Sequence, residues 1–127
     1  MNIKNLMIYI WKMDDIDWLG YKLEKKDKFT FHHIIKKCNG GKLEINNGAI
    51  LTNISHPYLH IIESRDFDMY LYLNNILRAI NDQRQMPDKL QLLAIKGVLE
   101  QFEREHCSDR TSKGKTLIKE EYLKRRY

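Results

Sequence analysis

Four of the chain's five histidines, His32, His33, His56 and His60, fall between Phe29 and His60. His56 and His60 are four apart, a spacing that puts both imidazoles on one face of a helix, within reach of a common cation. His32 and His33 are neighbours. In a pleated strand adjacent side chains face opposite ways, so one of this pair can ligate a cation while the other stays outside its coordination sphere. Cation binding by nitrogen ligands, with one imidazole left over, is the chemistry this spacing offers.

Secondary structure must bring those residues together. The segment Phe29 to Lys37, FTFHHIIKK, is rich in Phe, Thr and Ile and predicts a strand, stopped by the CNGG turn at Cys38 to Gly41. AILT at Ala49 to Thr52 predicts a returning strand after the INNG corner, which makes an antiparallel hairpin with a long connection. Ser55 is a good N-cap and Pro57 falls in the first turn, so a short helix is expected from there to about Glu63. Folding that helix over the hairpin buries YLHII against FHHII and delivers a third imidazole to His56 and His60.

Two longer amphipathic helices follow. Phe67, Tyr70, Leu73, Ile76, Leu77 and Ile80 form one stripe; Leu90, Leu93, Val98, Leu99 and Phe102 form another, opened by Pro87 and Asp88. Helical spacing accounts for both stripes as core. The opening, Met1 to Lys28, carries Trp11, Trp18 and Leu19 and predicts a packing arm, partly helical. The expected class is α+β.

At 127 residues the chain suits one domain, able to bury a modest core without disulfides. The apolar run NLMIYIW spans only Asn5 to Trp11, too short for a membrane span or a secretory segment. Cys38 and Cys107 are far apart and form no Cys-x-x-Cys motif, as a reducing compartment allows, so a cytoplasmic location is expected. The net charge of +5 is concentrated at the end: residues 107–127 carry seven Lys or Arg against three Asp or Glu. That segment reads equally as a basic tail attracting polyanions or as a solvated terminal helix with Leu117, Ile118, Tyr122 and Leu123 as a weak stripe.

The stretch from Phe29 to Glu63 resembles the HNH nucleases, also called His-Me finger or ββα-metal nucleases. FHHII matches their opening His-His element, NGG the glycine turn, NNGAIL the central Asn before the second strand, and SHPYLH the closing His-x3-His. The opening and closing elements look most like those of colicin-type nuclease domains. The resemblance implies a small ββα-metal finger at about 29–63 within a single nuclease domain of residues 1–106, to which the amphipathic stripes add supporting helices at about 66–106 and the charge distribution a basic tail at 107–127. It implies that His32, His56 and His60 hold one divalent metal, that His33 is the general base, and that Asn47 ties the loop so as to aim His33. The implied activity is DNA phosphodiester hydrolysis leaving a 5′-phosphate and a 3′-hydroxyl.

General chemistry fits those roles. A neutral imidazole, with an ordinary pKa of about 6.5, can take a proton from water, whereas a metal-bound imidazole has its lone pair occupied, so base and ligands must be different histidines. Three nitrogen ligands suit Zn²⁺, Ni²⁺, Co²⁺ or Mn²⁺ better than Mg²⁺.

Some positions depart from the pattern. Thr52 and Ser55 stand where many HNH proteins place paired cysteines for a structural zinc, so no second zinc is expected, and Cys38 is expected to pack or face solvent. No residue must contact the scissile phosphate; Lys36, Lys37, Lys42 and Arg65 are candidates by proximity, and Glu63, one turn past His60, is a candidate to orient its imidazole. His106 reads as a helix C-terminal histidine, and Asp14, Asp15 and Asp17 as turn and N-cap residues. The competing function is a non-catalytic, metal-stabilised nucleic-acid-binding module; a third reading makes the chain a component of a larger phage or restriction complex. DNA is the expected partner and no membrane is.

Overall fold

The computed structural model describes residues 1–126 as an α+β structure. A helix, α1 (Ile3–Ile10), precedes a two-stranded antiparallel hairpin of β1 (Phe29–His33) and β2 (Gly48–Thr52). Four helices follow: α2 (Ser55–Arg65), α3 (Phe67–Gln83), α4 (Lys89–His106) and α5 (Glu120–Lys124). Among the described residues no helix is long and apolar enough to cross a membrane.

The hairpin register pairs Phe29 with Thr52, His32 with Ala49 and His33 with Gly48. β1 stops four residues earlier than the expected Lys37 because a side chain takes over its ladder. Ile34 N–H donates to the Asn47 carbonyl at 2.9 Å, but Ile35 N–H donates to the Asn47 side-chain Oδ1 at 2.7 Å. The side faces of the strand then diverge. Thr30 and His32 look toward α2 and α3, where they meet His56 and Asn74. Gly48, across from His33, approaches Phe31 and Met7 of α1 so closely that a Cβ there would lie 2.3 Å from the Phe31 ring.

Ser55 does not cap α2. Ile54 occupies that position, the Thr52 hydroxyl accepts the Ser55 N–H at 3.1 Å, and the Ser55 hydroxyl donates to the Asp17 carboxylate at 2.5 Å. Asp17 is itself buried rather than a surface turn residue, and it also accepts the backbone N–H groups of Leu19, Tyr21 and Thr52. Burial pushes its carboxyl above the ordinary range while these four donors pull it back. The arm is thereby tied to the end of β2 and the start of α2, with Trp11, Trp18 and Leu19 in the core as expected.

The two long helices depart from their predicted stripes at their N-terminal ends. Leu90 and Leu93 of α4 are 78% and 61% exposed, and the buried face is Ile95, Leu99 and Phe102. Leu93 precedes Phe102 by nine residues, about two and a half turns, so the two side chains leave opposite sides of the helix. On α3 the stripe holds from Tyr70 to Ile80, but Phe67, in the first turn, is 55% exposed.

Residues 107–126 are not a free basic tail. Tyr122 is buried and stacks on Tyr58 of α2 at 4.3 Å, Leu117 and Ile118 are buried, and only Leu123 of the anticipated stripe faces solvent. Arg126 grips both carboxylate oxygens of Glu103, and Arg125 pairs with Asp27 at 2.6 Å and Glu24 at 3.3 Å. Apolar burial next to paired arginines outweighs the solvation of a loose cationic segment. Tyr127 lies outside the described residues.

Candidate metal and catalytic site

His32 from β1 and His56 and His60 from α2 converge, with one candidate ligand atom from each lying within 4.8 Å of the others. The ring centroids are 5.0 Å apart for His56 and His60, 5.4 Å for His32 and His56, and 5.6 Å for His32 and His60. The i,i+4 pair on α2 supplies one edge of the group. The Thr30/His32 face of β1 supplies the other.

Each imidazole has one nitrogen fixed by a partner whose own bonding settles the tautomer. The Thr30 hydroxyl donates to the Leu51 carbonyl at 3.2 Å, so it accepts from His56 Nδ1–H at 2.8 Å. Asn74 Nδ2 donates to the Ile34 carbonyl at 2.8 Å, which turns its Oδ1 toward His32, 2.9 Å from Nε2–H. The Glu63 carboxylate can only accept, and takes His60 Nδ1–H at 3.0 Å. Among the described residues, what remains free is Nδ1 of His32 and Nε2 of both His56 and His60. Three lone pairs are left for one cation, so the donor set fits a divalent metal.

Burial keeps two of those lone pairs available. Burial lowers His32, which is only 1% exposed, to about 4, with the Asn74 hydrogen bond opposing. Burial lowers His56 to about 4 as well, helped by the neighbouring His60 and His33. Both are neutral at physiological pH. Burial alone would raise the Glu63 carboxyl, but the hydrogen bonds and charges of Lys36 and His60 hold it below its ordinary value. Glu63 is therefore an ionised acceptor behind His60, in the place anticipated for it.

His33 projects from the other face of β1, its ring 4.9 Å from Phe31 in an edge-to-face contact. It lines, with His32, His56, His60, Lys36, Lys37 and Cys38, a shallow cleft of about 300 Å³. None of the bonds that fix the three converging rings involves His33. Asn47, buried, accepts from Ile35 N–H and donates through Nδ2 to the carbonyls of Ile35 at 3.0 Å and Lys42 at 3.1 Å. Its amide clamps the chain two residues beyond His33. Gly41 is required beside this clamp, because a Cβ there would lie 1.7 Å from the Ile35 carbonyl oxygen.

The basic candidates separate. Lys36 and Lys37 line the cleft, and Lys36 is paired with Glu63. Lys42 lines a different hollow, with Gly40, Asn46 and Arg78. Arg65, at the end of α2, is held by Asp109 at 3.3 Å and by the Arg110 carbonyl at 3.4 Å, away from the cleft lining.

Comparison of the chain with protein-family models, with curated protein sequences and with solved structures gives no match. The site must be judged by its own geometry. Thr30 and Asn74 are the residues that sequence reasoning misses. Thr30 alternates with His32 along the strand, a local signal; Asn74 lies 42 residues from His32, and nothing in the sequence links the two. A second grouping, Asp66, Glu105 and His106, sits where α3 begins and α4 ends. There His106 Nδ1 meets Asp109 at 2.8 Å and its ring stacks on Phe102 at 4.4 Å, so the residue does more than face the helix dipole.

Proposed function

We propose that this chain is a metal-dependent endonuclease of the HNH kind, hydrolysing DNA phosphodiester bonds, with β1, β2 and α2 acting as a ββα-metal finger. The observation that carries the reading is the division among the four histidines. Three converging rings each have one nitrogen held by a partner and the other left unbonded among the described residues, and a fourth, His33, lines the same cleft outside that group.

His32, His56 and His60 would hold the cation, which when bound supplies charge stabilisation at a non-bridging phosphate oxygen and at the leaving 3′ oxygen. His33 takes the proton of the attacking water on a ring nitrogen. Phe31 packs against that ring and the Asn47 clamp fixes the backbone beyond it, so the base keeps its aim. Lys37 gives the cleft a positive charge beside which a phosphate can settle, while Lys36 on the same wall is paired with Glu63. The neutral state of His32 and His56 means no proton must leave before a cation enters.

Nicking of supercoiled plasmid across Mn²⁺, Mg²⁺, Ni²⁺, Co²⁺ and Zn²⁺ tests the reading, together with metal content measured on the same preparations. The wild type should nick with at least one ion. His33→Ala should lose at least about 100-fold in rate while retaining one bound cation. If His33→Ala nicks as fast as wild type, or no ion supports nicking, the hydrolytic assignment fails and a metal-stabilised binding module remains.

A further inference from the structure

Beside the histidine cleft lies a second hollow of about 370 Å³, lined by Ile34, Ile35, Phe67, Tyr70, Leu71 and Asn74 with Lys36, Asn39 and Glu63 at its polar edge. Lys36 lines both hollows, so they adjoin at its side chain. The apolar part is unusually bare: Ile35, Phe67 and Leu71 are all exposed. The Phe67 ring packs against Tyr70 at 5.9 Å, the two planes 27° apart. Tyr70 is 3% exposed and its buried hydroxyl has no hydrogen-bond partner among the described residues. Closed off from solvent and unpaired, that hydroxyl can take a hydrogen bond from a group entering the hollow once the ring shifts to expose it.

We propose that this hollow is a nucleobase subsite: the base of a nucleotide flanking the phosphate at the histidine cleft lies against Phe67 and meets the Tyr70 hydroxyl with its polar edge. The assignment rests on the phosphodiesterase reading. A nucleobase fits because it joins a flat apolar face to a hydrogen-bonding rim, and because its own strand must also place a phosphate at the Lys36 end, where the two hollows meet. An aliphatic ligand would leave the hydroxyl unpaired. A base paired inside a duplex cannot enter, so the site takes a strand that is single, frayed or locally opened at that nucleotide.

Binding separates this proposal from the hydrolytic one, because it needs no turnover. Fluorescence anisotropy of an end-labelled single-stranded DNA oligonucleotide, and of the same strand in a duplex, would be measured on His33→Ala protein with Mn²⁺, alone and combined with Phe67→Ala or Tyr70→Phe. Phe67 is exposed, and Tyr70→Phe removes only an unpaired hydroxyl, so both variants should fold with unchanged urea midpoints. We expect Phe67→Ala to weaken single-strand binding by about tenfold and Tyr70→Phe by a few-fold, with duplex binding unaffected. Equal single-strand affinity in all three proteins overturns the proposal, even where wild type nicks plasmid. Loss of self-association in Phe67→Ala, seen by sedimentation with no change in DNA affinity, also overturns it, by assigning the hollow to a second copy of the chain. A Phe67-dependent preference for single strands upholds the subsite even where no ion supports nicking, which would remove only the hydrolytic step.

Discussion

Thr30→Val keeps the bulk of the residue and removes its hydroxyl, so His56 loses the acceptor that holds its Nδ1–H. Freed of that bond, the ring can turn or change tautomer. Metal affinity should fall about 10–100-fold, measured by competition with a chromophoric chelator, and Asn74→Leu should do the same through His32. Unchanged affinity in both variants would mean that the rings are oriented by packing alone.

Acidity acts on the same residues in the metal-free protein. His32 titrates near 4 when folded and about 6.5 when unfolded, so below 6.5 the unfolded chain binds the additional proton. Its contribution is complete above pH 6.5 and is lost as pH falls toward 4, on the order of 3 kcal/mol for a ring this buried. Urea midpoints between pH 7 and pH 4 should fall in wild type and fall less in His32→Phe. At this scale the sequence is most legible where partners are close in the chain. The His56 and His60 spacing and the Glu63 offset each follow from one turn of helix, whereas the Asn74 contact exists only after α3 has packed on β1.

The loop between the strands is set by a side chain imitating a strand. Asn47 gives Ile35 the acceptor and donor that a paired residue would have given, and Gly41 leaves room for that exchange. Gly41→Ala should therefore cost about 3 kcal/mol by overpacking. Gly40→Ala, in open space at φ +88°, should cost only about 1 kcal/mol of backbone strain. Chemical denaturation of the pair decides it; equal losses would show that the Ile35 carbonyl can move aside. The hairpin and the histidine helix are readable in advance because their punctuation is local: the CNGG turn, the Asn47 corner and Pro57. The buried face of α4 is readable only in its second half. Leu99 and Phe102 are buried as their spacing predicts, but Leu90 and Leu93 only mimic a continuation of that stripe, and the position of the neighbouring helices shows that Ile95 completes the face.

Across the whole molecule, three of the seven cations that the sequence concentrates at residues 107–127 are spent on internal pairs. Arg125, Arg126 and Lys124 each have a carboxylate partner, and composition cannot reveal that. Removing the segment after Cys107 should act as a core deletion rather than the loss of a polyanion-binding arm. Tyr122→Ala alone should cost about 3 kcal/mol or more, read as a lowered urea midpoint. A variant with normal stability and reduced salt dependence of DNA binding would restore the tail reading.

The Tyr58–Tyr122 stack also sets an order of events during synthesis. The helix bearing His56 and His60 is translated early, yet its outer face is not covered until Tyr122 has left the ribosome. At about 5–20 residues per second, that delay is several seconds. A nascent chain carrying every histidine would therefore still hold the three converging imidazoles loosely until the Tyr122 segment has emerged and packed.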